Sequence, residues 1–149
     1  MRTETAYDDA YATCESTFAW LRVMSEDLQS DSVTSLLGIA PTHTQLRGEQ
    51  RSPASTRQHK YSGWFLESES HVESRDARRH LDWLLAQLQG KAGAIATLKR
   101  QGNLVDVCVR WNSYGHGGPT LNAQHMAQLG ELGIELWFDI YFVGRDSAG

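Results

Sequence analysis

The stretch Leu104-Val105-Asp106-Val107-Cys108-Val109-Arg110-Trp111-Asn112 decides the fold class of this 149-residue chain. Apolar residues recur at every second position, which is typical of a β-strand with one face in the core. That face consists of Val105, Val107, Val109 and Trp111. The other face is mixed and consists of Leu104, Asp106, Cys108 and Arg110. The pattern therefore predicts a strand with one face in the core and a second face that carries charged as well as apolar side chains.

The elements around this strand define the predicted architecture. Towards the C-terminus, the spacing predicts a helix over residues 122–132 and a strand over 134–142. Towards the N-terminus, it predicts helices over 76–89 and 92–101, and strands over 16–25 and 63–67 with a helix over 30–38 between them. The order β-α-β-α-α-β-α-β favours an α+β domain, with a four-stranded, mainly antiparallel sheet and helices packed on one face. Both halves contain a helix that ends in Leu-Gly-Ile, which indicates a ferredoxin-like pseudo-repeat of two β-α-β units.

The size of the chain predicts one domain over residues 14–143, between a flexible arm over 1–13 and a flexible tail over 144–149. The polar segment 41–62 gathers five basic side chains and reads as a long loop, either functional or disordered. These side chains are Arg47, Arg51, Arg57, His59 and Lys60.

Charge and composition exclude several classes of function. The net charge of −4 speaks against sequence-independent binding to nucleic acids or anionic membranes. No apolar run approaches the roughly 20 residues of a membrane span, and the N-terminus lacks the basic-then-apolar order of a signal peptide, so we expect a cytoplasmic protein. The two cysteines, Cys14 and Cys108, lack metal-ligand spacing and read as buried thiols. We predict no metal and no cofactor.

The most specific local motif is the glycine-rich turn after the strand at residues 104–112. Its sequence is Gly115-His116-Gly117-Gly118-Pro119. Backbone N–H groups between glycines can form a nest for an anion, and a helix that begins near Asn122 adds the positive end of its dipole. One interpretation is a small-molecule or anion site, or an enzyme, with His116 as a donor or general acid–base. The other is a tight structural turn whose glycines take positive φ. The spacing matches neither the Walker nor the Rossmann phosphate motif.

The sheet face opposite the helices is the second candidate site. If the aliphatic side of residues 134–142 packs in the core, the other sides of the strands present aromatic rings interleaved with charges. These residues are Trp20, Arg22, Asp106, Arg110, Trp137, Asp139 and Tyr141. Trp, Tyr and Arg dominate interface hot spots, which favours a protein partner, a homodimer seam or a flat ligand site. Alternatively, Arg22–Asp139 and Arg110–Asp106 pairs neutralise one another under a covering loop. The carboxylates make base stacking with a nucleic acid unlikely as a function.

Histidine and carboxylate combinations give weaker signals. His116, His125 and Asp139 belong to neighbouring segments and could converge, but neither a His-x-x-x-His nor a Cys-x-x-Cys pattern supports a metal site. His80, on a Leu-rich helix, reads as a packed histidine. Ser113 lacks the Gly-x-Ser-x-Gly context of a nucleophile elbow.

Several short motifs together carry a family resemblance. They are Leu36-Leu37-Gly38-Ile39-Ala40-Pro41-Thr42, Gly63-Trp64, His80-Leu81-Asp82-Trp83-Leu84-Leu85, Gly115-His116-Gly117-Gly118-Pro119, Leu132-Gly133-Ile134 and Asp139-Ile140-Tyr141. In combination they resemble the DUF4279 domain family of uncharacterised bacterial proteins, over residues 16–142. The resemblance implies a bacterial protein that is not a membrane protein. It implies no activity and no catalytic residue.

The sequence thus favours a non-catalytic protein-binding module of the bacterial cytoplasm. A concrete version is an immunity or inhibitor-type protein that neutralises a toxin or an enzyme by covering it. Small size, acidic charge, an aromatic-rich face and the lack of a catalytic constellation motivate this expectation. One alternative is a small-molecule or anion-binding protein, or an enzyme, centred on the turn at 115–119. The other is a homodimer that uses the open sheet face.

Overall fold

The computed structural model describes residues 6–144. In chain order, its strands and helices are β1 (Cys14–Ser25), α1 (Ser30–Leu37), β2 (His43–Gln45), β3 (Ser62–Glu67), α2 (Ala77–Gln87), α3 (Ala92–Arg100), β4 (Leu104–Ser113), α4 (Ala123–Leu132) and β5 (Glu135–Phe142). Within this part of the chain, every helix is too short or too polar to cross a bilayer.

The strands form one open sheet in the order β2-β3-β1-β4-β5. β1 lies in the middle and is antiparallel to both β3 and β4, whereas β5 runs parallel to β4. The α+β class is confirmed, but the expected number of four strands is wrong. β2 adds a fifth strand inside the segment predicted as a loop. It was not predicted because its three polar residues are too few to show alternation, and its place in the sheet depends on pairing with β3.

The predicted repeat of two β-α-β units is wrong. β4, α4 and β5 form a parallel crossover unit, whereas β1 and β3 on either side of α1 are antiparallel neighbours. The shared Leu-Gly-Ile motif has a local cause. Gly38 and Gly133 both end a helix in the left-handed region, at φ 69° and 68°. Glycine is favoured at this position of a helix end because it has no Cβ to clash.

All four helices pack on one face of the sheet, as predicted, and enclose a single core. The inner faces expected for β1 and β4 are confirmed, and Trp64 and Leu66 of β3 continue them. The buried helix residues that meet this face include Val33, Leu37, Leu81, Leu84, Ile95, Leu98 and Leu129. The Trp64 indole N–H donates to Thr34 Oγ1 at 3.0 Å, which anchors α1 to β3.

The inner face of β5 departs from the prediction. Ile134, just before the strand, is buried, but Phe138, Ile140 and Phe142 are 42%, 57% and 75% exposed. Exposure rises along the strand, which lies at the edge of the sheet. The expectation that these residues belong to the core is therefore wrong.

The described part of the predicted arm, residues 6–13, runs along the start of α2. The Asp8 N–H donates to Asp76 Oδ2 at 2.8 Å, and the Asp9 carboxylate accepts from Arg79 Nε at 3.0 Å. The Tyr11 ring meets Trp111 edge-on, with 5.2 Å between centroids. These contacts fasten the segment to the domain. The rest of the predicted arm, residues 1–5, and the tail residues 145–149 lie outside the described residues.

Candidate functional site

Strand register gathers the predicted open-face residues on one side of the sheet. Trp20 lies opposite Cys108, which lies opposite Trp137, so these three form one row across β1, β4 and β5. In the flanking rows, Arg22 lies opposite Asp106 and Arg110 opposite Asp139. Residues directly opposite each other share a face of the sheet. The prediction that these side chains share the face away from the helices is therefore confirmed.

Arg22 is clamped between a carboxylate and an indole. Its Nε and Nη2 each donate to Asp106 at 2.7 Å, in the bidentate geometry that arginine and carboxylate favour. Its guanidinium carbon lies 4.7 Å from the Trp137 ring centroid, within cation–π range. Hydrogen bonding to Asp106 outweighs burial and raises the pKa of Arg22. These contacts hold the Arg22 side chain in one orientation.

Arg110 repeats the arrangement nearer the end of β4. Its guanidinium carbon lies 3.6 Å from the Tyr141 ring centroid, and its Nη1 lies 3.7 Å from Asp139 Oδ2. Its Nε donates to Asn112 Oδ1 at 3.1 Å. Both arginines are thus neutralised on the face, but with the two aspartates exchanged relative to the predicted pairs. Register decides this, because each arginine takes the aspartate that lies directly opposite on the neighbouring strand.

An aromatic row extends the face from β1 to β2. Phe18 meets Trp20 edge-on at 5.6 Å, Trp20 lies 5.7 Å from Phe65, and His43 stacks on Phe65 at 5.7 Å. Gly63 makes room for the Phe65 ring, since a Cβ at Gly63 would lie 2.6 Å from Phe65 Cζ. Phe65 and His43 are members of this face that the sequence pattern did not predict. Alternation along β3 puts Phe65 on the other face of the strand from Trp64 and Leu66. Nothing in the sequence indicated that β2 pairs with β3.

Both cysteines are buried, as predicted. Burial raises the pKa of Cys14 to about 11 and also raises the pKa of Cys108, which lies beneath the aromatic layer. The thiolate is the reactive form of cysteine, so both thiols are poor nucleophiles.

The glycine-rich turn packs against the N-terminal segment. Gly115 N–H donates to Ser113 Oγ at 3.1 Å, and Gly118 N–H donates to the Tyr11 hydroxyl at 3.3 Å. Among the turn glycines, Gly117 alone takes positive φ, at 93°. The hydroxyl of Thr13 donates to the carbonyl of His116. These contacts occupy two of the N–H groups an anion would need, so they favour the structural-turn interpretation.

The His116 side chain is exposed and lies apart from a cleft that the described residues form elsewhere. That cleft, of about 840 Å³, lies between α2 and α4 and is lined by Asp82 and His125. A ligand or enzyme site at the turn therefore stays a prediction.

His125 does not converge with His116 and Asp139, so that expectation is wrong. It is buried and donates from Nε2 to Asp82 Oδ1 at 2.6 Å. Its Nδ1 accepts from the Asn122 N–H at 3.2 Å, as part of a capping box that begins α4. Because a backbone N–H can only donate, Nδ1 is the bare nitrogen and Nε2 carries the proton. The hydroxyl of Tyr7 donates to the same carboxylate, and that bond raises the pKa of Tyr7.

His80 is a packed histidine, as predicted. Its Nε2 donates to the Ser74 carbonyl at 2.8 Å, and its Nδ1 lies 2.7 Å from Ser68 Oγ. Ser68 Oγ also accepts from the Ala19 N–H at 2.9 Å. This series of hydrogen bonds joins α2 to β1 through buried groups. Burial lowers the pKa of His80.

Comparison with known proteins identifies the domain by family. A family model described as "Domain of unknown function (DUF4279)" matches residues 14–143. No curated protein and no solved structure matches the chain. The matched residues span all five strands and all four helices of the described structure.

Proposed function

The chain belongs to the DUF4279 family, and we propose that it is a non-catalytic protein-binding module of the bacterial cytoplasm. Its binding surface is the open face of the sheet. A concrete version is an immunity or inhibitor-type protein that neutralises a toxin or an enzyme by covering it. The observation that carries the proposal is the preformed layer of aromatic and arginine side chains on this face.

A fixed layer favours binding because association must otherwise order mobile side chains, at roughly 0.5–1.5 kcal/mol for each. Arg22 and Arg110 are held by aspartates and by aromatic rings on β5. Their ring partners still meet solvent, with Trp137 37% and Tyr141 47% exposed. The face thus offers rigid, amphipathic groups of the kind that dominate hot spots.

The charge balance of the face supports a protein partner over a nucleic acid. Arg22 and Arg110 each have an aspartate within 4 Å. A phosphate backbone needs clustered, uncompensated cations. A guanidinium has five N–H donors, and Asp106 takes two of those of Arg22. Donors therefore remain for carbonyl or carboxylate oxygens of a protein.

The buried histidines support a binding role over a catalytic one. His80 and His125 each use both ring nitrogens in contacts that hold the fold together. Neither ring has a nitrogen left for a substrate proton.

The test begins with affinity capture of the partner from a nuclease-treated lysate of the source bacterium. Binding of the purified partner is then measured by titration calorimetry with Trp137→Ala and Tyr141→Ala. We expect each variant to weaken binding by roughly tenfold or more, since truncated hot-spot residues lose about 2 kcal/mol or more. The melting temperature should stay near that of the wild type, because both side chains are partly exposed.

Tyr61→Ala is the matched control. Tyr61 is the same residue type with the same 47% exposure, but it precedes β3 and lies far from Tyr141, across the sheet. Its removal should leave the affinity unchanged. Wild-type affinity in both Trp137→Ala and Tyr141→Ala would rule out this face as the binding surface.

A further inference from the structure

The two edges of the sheet differ in kind. The β2 edge is three residues long, and its sequence is His43-Thr44-Gln45. The β5 edge is eight residues long and carries six large apolar side chains. Proteins protect exposed edges by keeping them short, or by adding lysine, proline or a bulge. β5 has none of these features, and its charges are Glu135 at the start and Asp139, which faces Arg110.

Among the described residues, no strand lies on the outer side of β5, which leaves a definite set of backbone groups facing away from the sheet. The Val143 N–H donates to the Ser113 carbonyl of β4 at 2.9 Å, so odd-numbered residues of this segment direct their backbone groups towards β4. Residues alternate along a strand, so Phe138, Ile140 and Phe142 direct their N–H and C=O groups away from the sheet. The same three residues carry the exposed apolar side chains on the helix side. The residues whose backbone groups face outward are therefore the same residues whose apolar side chains are exposed.

We propose that two copies of this chain pair through β5, antiparallel, with the two-fold axis at Ile140. Each sheet then continues into the other. In this register Ile140 meets Ile140 of the second copy, and Phe138 meets Phe142. On the open face, Tyr141 meets Asp139 and Trp137 meets Val143. The three exposed apolar residues of the helix-side row each gain an apolar partner, and no carboxylate faces another.

The two registers on either side of this one, with the axis at Asp139 or at Tyr141, are poorer. A two-fold at Asp139 would place two carboxylates opposite each other, and like charges directly opposite destabilise a sheet. A two-fold at Tyr141 would place Phe138 opposite Gly144, which has no side chain. A second copy is the occupant that this self-complementary row fits, since isologous pairing requires a surface complementary to itself.

The test is the oligomeric state of the full chain, measured by sedimentation and by light scattering over a dilution series. We expect the wild type to show twice the 16.7 kDa mass of the chain. Ile140→Lys places two ammonium groups at the axis and should raise the dissociation constant on the order of a hundredfold. Leu46→Lys is the control, because Leu46 is apolar and 53% exposed but lies at the opposite edge.

A mixing experiment tests the register itself. Ile140→Glu alone should also be monomeric, whereas an equimolar mixture with Ile140→Lys should dimerise, because position 140 faces its own copy. Circular dichroism of each variant checks that the monomer is folded. A monomeric wild type, dimeric Ile140→Lys, or a mixture that stays monomeric would overturn the proposal. Dimers lost only in Trp137→Ala or Trp20→Ala would assign association to the open face instead.

Discussion

Gly117 shows how a single position can depend on a residue far away in the sequence. A Cβ added there would lie 2.2 Å from the Tyr11 hydroxyl oxygen, and φ of 93° is strained for any other residue. Gly115 and Gly118 have neither constraint, with open space where a Cβ would be. The structural-turn interpretation assigned positive φ to the turn glycines together, but only Gly117 has it, because the neighbour that decides the position belongs to the N-terminal segment.

Gly117→Ala should therefore destabilise the domain by about 1–3 kcal/mol, through backbone strain and the clash with Tyr11. Urea denaturation followed by far-ultraviolet circular dichroism measures the change. Gly118→Ala is the control, and it should stay within about 0.5 kcal/mol of the wild type. Equal stability of the two variants would contradict this account of the turn.

At the scale of elements, α2 and α4 are joined by one carboxylate. Asp82 of α2 accepts from His125 of α4 and from Tyr7, so one side chain ties two helices and the N-terminal segment together. Because His125 is buried, loss of the carboxylate would leave its Nε2–H without a partner. Unsatisfied buried donors destabilise by about 1–3 kcal/mol.

We expect Asp82→Ala to lower the free energy of unfolding by about 1–3 kcal/mol and to speed amide hydrogen exchange at the start of α4. Glu131→Ala offers a comparison, since Glu131 lines the same cleft but is exposed. That variant should unfold like the wild type. If both variants unfold alike, the carboxylate does not couple the helices.

Elements with a strong repeating pattern were predictable and the rest were not. β1 and β4 alternate over many residues, and the helix predicted to begin near Asn122 is α4, which Asn122 caps. β2 is too short to alternate, so its place beside β3 could not be read. For β5, alternation predicted which residues share each face of the strand. It could not predict whether a helix covers one of those faces. The arginine–aspartate pairs were exchanged because they depend on the register between strands, which a sequence pattern does not contain.

At the scale of the whole molecule, we expect a buried histidine to contribute to the loss of stability in acid. Burial lowers the pKa of His80 below its ordinary value of 6.5, so the unfolded chain binds the proton more tightly than the folded one. The neutral ring therefore contributes stability above pH 6.5, and this contribution is lost as the pH falls through the lower pKa of the folded state.

His80→Gln removes this titration while it keeps one donor and one acceptor in the side chain. We expect its melting temperature to fall less steeply than that of the wild type as the pH is lowered from 7 to 5, whatever its stability at pH 7. His116→Gln removes an exposed histidine and should keep the wild-type slope. A wild-type slope in His80→Gln would show that other groups govern acid sensitivity.

The central position of β1 has a consequence for biosynthesis. Its two neighbours are β3 and β4, and Cys14 lies opposite Ser113. The first strand in the sequence therefore pairs with one that comes about 100 residues later. Contacts so distant in sequence form slowly, and domains emerge from the ribosome N-terminus first. The apolar side of β1 leaves the ribosome long before β4 exists to pair with it. Nascent chains that stop before residue 104 consequently leave the β4 side of β1 without a partner strand, and we expect them to depend on chaperones until synthesis is complete.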